Sequence, residues 1–136
     1  MTTPLVILRL ARLPPSVNHY YLNREVTTKR GRYMARMISP GGLAFRDDVL
    51  EAALKARGRR GPLNLSGRLA LDVVVTPKNK VIFDLDNLLK PLQDALTKAM
   101  VIRDDSLFDR VSIERYPVAE AASTVITIYQ IHARTP

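Results

Sequence analysis

A chain of 136 residues and 15.3 kDa has the length of a single domain, 1–136, and buries roughly two thirds of its unfolded surface. Zero cysteines exclude disulfides and thiolate metal sites and suit a reducing cytoplasm. No apolar run approaches the roughly 20 residues that span a bilayer, so a cytoplasmic protein without a membrane partner is expected. The net charge of +8 is unevenly spread: residues 1–71 hold thirteen Lys or Arg against four acids, and residues 72–136 hold eight against nine. Fifteen of the 21 cations are arginine, whose guanidinium binds phosphate bidentately, so a polyanion such as nucleic acid is the natural partner.

In chain order, Leu5 to Leu10 reads as a strand closed by Pro14-Pro15, since proline cannot donate to a ladder. From Ser16 to Ser39 neither helical nor strand periodicity is clear, and the segment reads as a long, largely irregular loop, a kind that is usually functional or disordered. Arg24, Lys29, Arg30, Arg32 and Arg36 alternate there with Tyr20, Tyr21 and Tyr33. Arginine and lysine hold phosphate and tyrosine stacks on unpaired bases, though tyrosines also pack half-buried beneath loops. Asn18 suits a side-chain turn, and His19 and His132 read as surface or packing residues. Leu43 to Ala56 reads as an amphipathic helix started by Pro40-Gly41-Gly42 and ended at Gly58. Its inward residues are expected to be Leu43, Val49, Leu50, Ala53 and Leu54, with Arg46, Asp47, Glu51 and Lys55 in solvent. Arg68 to Thr76 is a strong strand, and Pro77-Lys78-Asn79-Lys80 follows it; Lys78 and Lys80 would guide a phosphodiester toward what comes next. Val111 to Tyr116 and Thr124 to Ile131 read as antiparallel strands joined by a short turn. The resulting order, β-α-β-α-β-β, describes an α+β domain with helices packed on a mixed sheet.

The chemistry concentrates in Phe83-Asp84-Leu85-Asp86-Asn87-Leu88-Leu89-Lys90 and in Asp104-Asp105. If Val81 to Asp86 is strand, Asp84 and Asp86 share a face roughly 7 Å apart along the backbone. Two carboxylates so close repel unless a cation lies between them, and their hard oxygens suit Mg²⁺ or Mn²⁺. Leu88, Leu89, Leu92, Ala95, Leu96, Ala99 and Met100 then make the apolar face of a helix, while Asp86, Lys90 and Asp94 fall four apart on the polar face. Lys90 stands about one turn, roughly 6 Å, from Asp86. Asp104 or Asp105 could return as a third ligand. Metal-held carboxylates with an ammonium nearby suit stabilisation of a phosphoryl transition state. The same residues also fit an N-cap and a solvated salt-bridge ladder. Pro91 belongs only in a first turn, which places the helix start near Asn87 or later.

The run Asp84-Leu85-Asp86-Asn87-Leu88-Leu89-Lys90, then Asp94-Ala95-Leu96-Thr97-Lys98-Ala99 and Asp104-Asp105, resembles the signature of the RusA family of Holliday-junction resolvases. Pro14-Pro15-Ser16-Val17-Asn18-His19-Tyr20-Tyr21 is similar to that family's N-terminal motif. The resemblance implies that Asp84, Asp86 and Asp105 are metal-binding carboxylates for Mg²⁺, with Mn²⁺ as the alternative ion, and that Lys90 is the catalytic lysine. It also implies hydrolysis of a DNA phosphodiester by in-line water attack, Asn18 near the active site, and a homodimer matched to the two-fold symmetry of a four-way junction. Asn18, Tyr21, Arg24, Lys29, Arg30, Arg32, Lys78 and Lys80 are the expected DNA-contacting residues. Two rivals stand beside this reading: a metal-dependent nuclease acting on other branched or flap DNA, and a non-catalytic junction-binding protein whose acids are structural.

Overall fold

Alternating burial organises the molecule. In the computed structural model, which describes residues 3–80 and 83–132, β1 (Val6–Leu10) buries Val6, Leu8 and Leu10 while Ile7 and Arg9 stay exposed. The same period of two runs through β4 (Leu69–Thr76), which buries Leu71, Val73 and Val75, and β6 (Ser123–Gln130), which buries Thr124, Ile126 and Ile128. With β5 (Phe108–Arg115) these strands form one sheet in the order β1-β6-β4-β5. β4 runs parallel to β5 and antiparallel to β6, and β6 is antiparallel to β1. The apolar face of this mixed sheet packs on two helices, α2 (Pro40–Arg57) and α3 (Asp86–Lys98). Around the sheet the order is therefore strand, helix, strand, helix, strand, strand, as the sequence pattern predicts. No helix among the described residues is long and apolar enough to cross a membrane.

β5 and β6 do not form the expected hairpin. β4 lies between them and pairs with both; with Leu69, Ala70, Leu71, Val73 and Val75 all buried, it is the strand suited to the centre of the sheet.

The segment 16–39 also departs from its reading as an irregular loop. It contains a short helix, α1 (Val17–Tyr20), and an antiparallel hairpin of β2 (Tyr21–Thr28) and β3 (Gly31–Ile38). Lys29 and Arg30 make its two-residue turn, helped by Arg30 N–H donating to Thr28 Oγ1 at 3.2 Å and by Gly31 at φ 128°. Arg24 on the one face and Tyr21, Met34 and Ile38 on the other blur the strand period, and the turn lacks the usual Asn-Gly signal.

α2 is capped by Ser39, whose Oγ accepts from Gly42 N–H at 3.0 Å, and it ends at Gly58 with φ 60°. Its buried stripe is Gly42, Phe45, Val49 and Ala53. Leu43, Leu50 and Leu54, expected inside, are exposed. Two apolar stripes lie side by side on this helix, and the one holding the larger Phe45 faces the sheet. Gly42 has no room for a side chain, since a Cβ there would stand 2.8 Å from Ile38 and 2.9 Å from Tyr20.

Arg46, expected in solvent, joins a half-buried network instead. Tyr20, fully buried on α1, donates its hydroxyl to Asp94 Oδ2 on α3 at 2.5 Å. Arg46 on α2 donates from Nε to the Tyr20 hydroxyl at 2.6 Å and from its terminal nitrogen to Asp94 Oδ2 at 2.7 Å. Burial opposes ionisation of Asp94, but the bonds from Tyr20 and Arg46 and the guanidinium charge outweigh it and hold the carboxyl below its usual range. Burial, then the bond to Asp94, pushes the Tyr20 phenol up.

A carboxyl depressed on folding adds stability above its unfolded value, 3.8, and loses it as pH falls through the folded value. Asp94→Asn is therefore expected to destabilise the fold by about 1–3 kcal/mol at pH 7. Urea unfolding at descending pH is expected to show that gap shrinking below about pH 4. A gap independent of pH would mean that the charge of Asp94 contributes nothing.

Candidate active site

α3 begins without help from a side chain. Its N-cap position is Leu85, in right-handed helical conformation (φ −61°, ψ −39°), with no side-chain cap. The first turn is closed by backbone bonds, Asn87 N–H to Asp84 O at 3.2 Å and Leu88 N–H to Leu85 O at 3.1 Å. Leu88 is buried in the core and Leu85 packs against it, which leaves the Asp84 and Asp86 side chains exposed in solvent. Neither carboxylate caps the helix. Asp86 sits in the first turn, where the helix dipole favours negative charge.

The expected route to this pairing, a strand from Val81 to Asp86, does not hold where it can be followed. Val81 and Ile82 lie outside the described residues, Phe83 and Asp84 are irregular, and Asp86 is already helical. The two acids flank a helix start. The helix also begins earlier than Pro91 suggests: Pro91 lies in the second turn, buried, and supplies no N–H to the carbonyl of Asn87.

The chain returns to the same place after α3. Met100 takes a left-handed conformation (φ 58°), and Val101 and Ile102 turn into the core. Leu65 then brackets the segment: its N–H donates to Val101 O at 2.9 Å, and its carbonyl accepts from Arg103 N–H at 2.9 Å. These bonds present Asp104 and Asp105 beside the start of α3, and the two acids separate. Asp104 caps the 3₁₀ turn Asp105–Leu107, its Oδ2 accepting from Ser106 N–H at 3.0 Å and from the Ser106 hydroxyl. Those two bonds hold its carboxyl below the usual carboxylate range. Asp105 is half-buried, with its Oδ2 3.8 Å from Lys90 Nζ. The salt bridge of Lys90 thus runs to the return loop rather than along the helix to Asp86 or Asp94. The alternative of a salt-bridge ladder along the helix gives way, because Asp94 is held by Tyr20 and Arg46.

Arg115, at the end of β5, is a component the sequence reading missed. Its guanidinium donates to the carbonyl of Phe83 and lies over the Phe83 ring at 4.3 Å, bracing the residue before Asp84. Thirty-two positions separate the pair, and no local pattern signals it.

The expected DNA-contacting residues fall in two places. Lys78 and Lys80 are exposed on the loop after β4, upstream of Asp84. Asn18 is exposed on α1; Tyr21, Arg24, Lys29, Arg30 and Arg32 follow on the hairpin. Tyr21 is half-buried, in edge contact with Tyr20 at 4.8 Å and with the Arg36 guanidinium over its ring at 3.7 Å. Of the three tyrosines, Tyr20 is buried and Tyr33 is exposed. His19 lies on α1 with its Nδ1 2.9 Å from Ser16 Oγ, and His132 is exposed. Among the described residues no three His, Cys, Asp or Glu side chains are close enough to hold a metal ion. Asp84 and Asp86 at the start of α3 and Asp105 on the return loop carry hard carboxylate oxygens, the donor type that Mg²⁺ and Mn²⁺ take.

The family model described as Endodeoxyribonuclease RusA matches residues 14–129, which takes in both acidic segments, α1 and the hairpin. The chain belongs to the RusA family. It is 31% identical over 118 residues to the crossover junction endodeoxyribonuclease RusA of Escherichia coli O139:H28 (strain E24377A / ETEC), covering 87% of this chain and 89% of that protein. The rusA crossover junction endodeoxyribonuclease of Enterobacteria phage 82 is similar at the same identity and coverage. Membership makes this RusA-family chain a nuclease, as the acidic motif led us to expect.

The geometry separates the adjacent acids experimentally. Asp104→Ala removes a cap and is expected to lower the urea midpoint of unfolding. Asp105→Ala removes a loose ion pair and is expected to stay within about 0.5 kcal/mol of the parent. The reverse order would contradict the assignment of Asp104 as the cap.

Proposed function

We propose that this protein is a metal-dependent endodeoxyribonuclease that resolves four-way (Holliday) junctions by hydrolysing phosphodiesters in recombination and repair. The observation that carries the site assignment is the approach of Lys90 Nζ to Asp105 Oδ2 at 3.8 Å, which joins the motif at the start of α3 to the returning acidic pair. Asp84, Asp86 and Asp105 would hold Mg²⁺ or Mn²⁺. Their donor chemistry fits: hard carboxylate oxygens, with Asp84 and Asp86 exposed and uncapped. Such an ion supplies Lewis acidity at the phosphoryl oxygens and lowers the pKa of water when bound. Asp105 rather than Asp104 is the third acid in this reading, since Asp104 is engaged by Ser106.

The chain's own groups do the remaining work. Lys90, exposed and free to swing from Asp105, places a positive charge where negative charge develops on the phosphoryl group, and it orients the attacking water. Arg115 fixes the backbone that carries Asp84. Asn18, Tyr21, Arg24, Lys29, Arg30, Arg32, Lys78 and Lys80 contact DNA, their cations neutralising phosphates on either side of the acidic centre. A junction has two-fold symmetry and is cut on two strands, so a chain with one site acts as a symmetric homodimer. The lack of cysteine suits work in the cytoplasm.

The test is cleavage of an immobile junction, a mobile junction, a flap and plain duplex, with and without Mg²⁺ or Mn²⁺. Paired symmetric nicks in the junctions are expected, and Asp86→Asn is expected to lower cleavage at least a hundredfold while junction affinity stays within about threefold. Lys90→Ala is expected to lower kcat by about 10²–10³-fold, as for loss of one charge-stabilising donor. Preferential cutting of the flap would move the substrate to other branched DNA. Tight junction binding without cleavage under either metal would leave a binding protein.

A further inference from the structure

The hairpin exposes apolar surface that the nuclease site does not use. Its strands pair with each other through eight positions, from Tyr21–Ile38 to Thr28–Gly31, and β2 packs on α1 at the root. At about 3.3 Å per residue the arm is roughly 25 Å long. A two-stranded ribbon with nothing on either face is marginal in water, so exposed apolar side chains on one face call for a partner. The register sorts them. Leu22 faces Met37 and Val26 faces Tyr33 on one side, with Arg24 and Ala35 between them; the other side carries Tyr21–Ile38 at the root, then Asn23–Arg36, Glu25–Met34 and Thr27–Arg32, a mostly polar face on which Met34 alone is an exposed large apolar side chain. On the apolar side Leu22 is 37% exposed, Met37 42% and Tyr33 55%.

Charge decides what covers that face. Residues 21–38 hold five Lys or Arg and one acid, Glu25, on a chain of net charge +8. A second copy would bring the same positive arm against this one, whereas a polyanion is attracted to it. Phosphates alone would satisfy Lys29 and Arg30 at the tip and Arg32 and Arg36 on the far face, leaving the apolar face exposed to water. The apolar surface that DNA offers is the face of a base, and bases lose stacking partners where strands part at a branch.

We propose that the β2–β3 hairpin is a branch-sensing arm whose apolar face of Leu22, Val26, Tyr33 and Met37 packs on unstacked bases at the centre of a DNA junction. This rests on the junction-cleaving reading above and names the feature of the substrate that the enzyme recognises. The root of the arm is built to transmit that position. Ser39 N–H donates to Tyr20 O at 2.8 Å, Ser39 Oγ donates to His19 O at 2.6 Å, and Tyr20 is tied to Asp94 on α3, the helix that carries Asp86 and Lys90. Engaging the branch with the arm therefore sets which phosphodiester lies at the acids.

The experiment places 2-aminopurine at the branch of an immobile four-way junction and measures binding without divalent metal, beside a duplex of the same length. The parent protein is expected to raise the fluorescence and to prefer junction over duplex. Tyr33→Ala combined with Met37→Ser, both at exposed positions, is expected to keep the unfolding temperature and duplex affinity, lose about tenfold in junction affinity, and abolish the fluorescence rise. Arg32→Ala with Arg36→Ala is expected to weaken junction and duplex alike and to reduce the salt dependence of both. An apolar double variant that retains junction preference and fluorescence overturns the proposal. So does one that sediments as a smaller species than the parent, since the face would then belong to a second copy. A parent protein without preference for the junction defeats the junction reading itself, and that result is visible before any variant is made.

Discussion

The bonds among Tyr20, Arg46 and Asp94 fix α1, α2 and α3 against one another. A half-buried carboxylate is costly unless ionic and hydrogen-bonding partners surround it, so Asp94 stays in place only while α1 and α2 supply a phenol and a guanidinium. Removing any one member leaves the other two with unmet polar groups in a partly dry environment. The three helices are thereby held in one mutual arrangement, where apolar packing alone would let them slide. Asp94 is two helical turns from Asp86 and one from Lys90, so the same arrangement aims the start of α3 toward the returning loop. On its other side it anchors the root of the hairpin through Tyr20.

The acids near the site divide their work by the partners available to them. Asp94 and Asp104 accept several hydrogen bonds each and serve structure, with depressed pKa values as the consequence. Asp84 and Asp86 lie on a helix start that backbone bonds alone complete, so they keep their lone pairs for other chemistry. Asp105 stands between the two groups, close enough to Lys90 for attraction and too far for a strong bond. A lysine balanced so loosely can turn to an incoming phosphate at little cost, which a tight, buried pair could not do. The excess of positive charge in the first half of the chain attracts a polyanion that carboxylates by themselves would repel.

Much of this was legible from the residues. The hydrophobic periods predict β1, α2, β4, α3 and the general α+β plan, and the spacing of Asp84, Asp86, Lys90 and the late acidic pair carries the family resemblance that the comparisons bear out. Both helix and strand periods are local, with a core face to enforce them. The failures have the opposite character. The hairpin stands away from the core, so nothing demands alternation along it, and its Lys29-Arg30 turn has no glycine at its centre. On α2, two apolar stripes compete, and the choice between Phe45 and Leu43 belongs to the sheet opposite.

The sequence by itself determined the class of chemistry, because the donor types, their spacing and the asymmetry of charge are properties of a chain read end to end. Tertiary structure alone decided which acid of the pair meets Lys90, which arginine leaves solvent to bind Asp94, and which strands are neighbours. Each of those is a contact between residues about fifteen to seventy-five positions apart. Such contacts are chosen by how helices and strands pack in three dimensions, and a period of two or 3.6 contains no information about the partner across the gap.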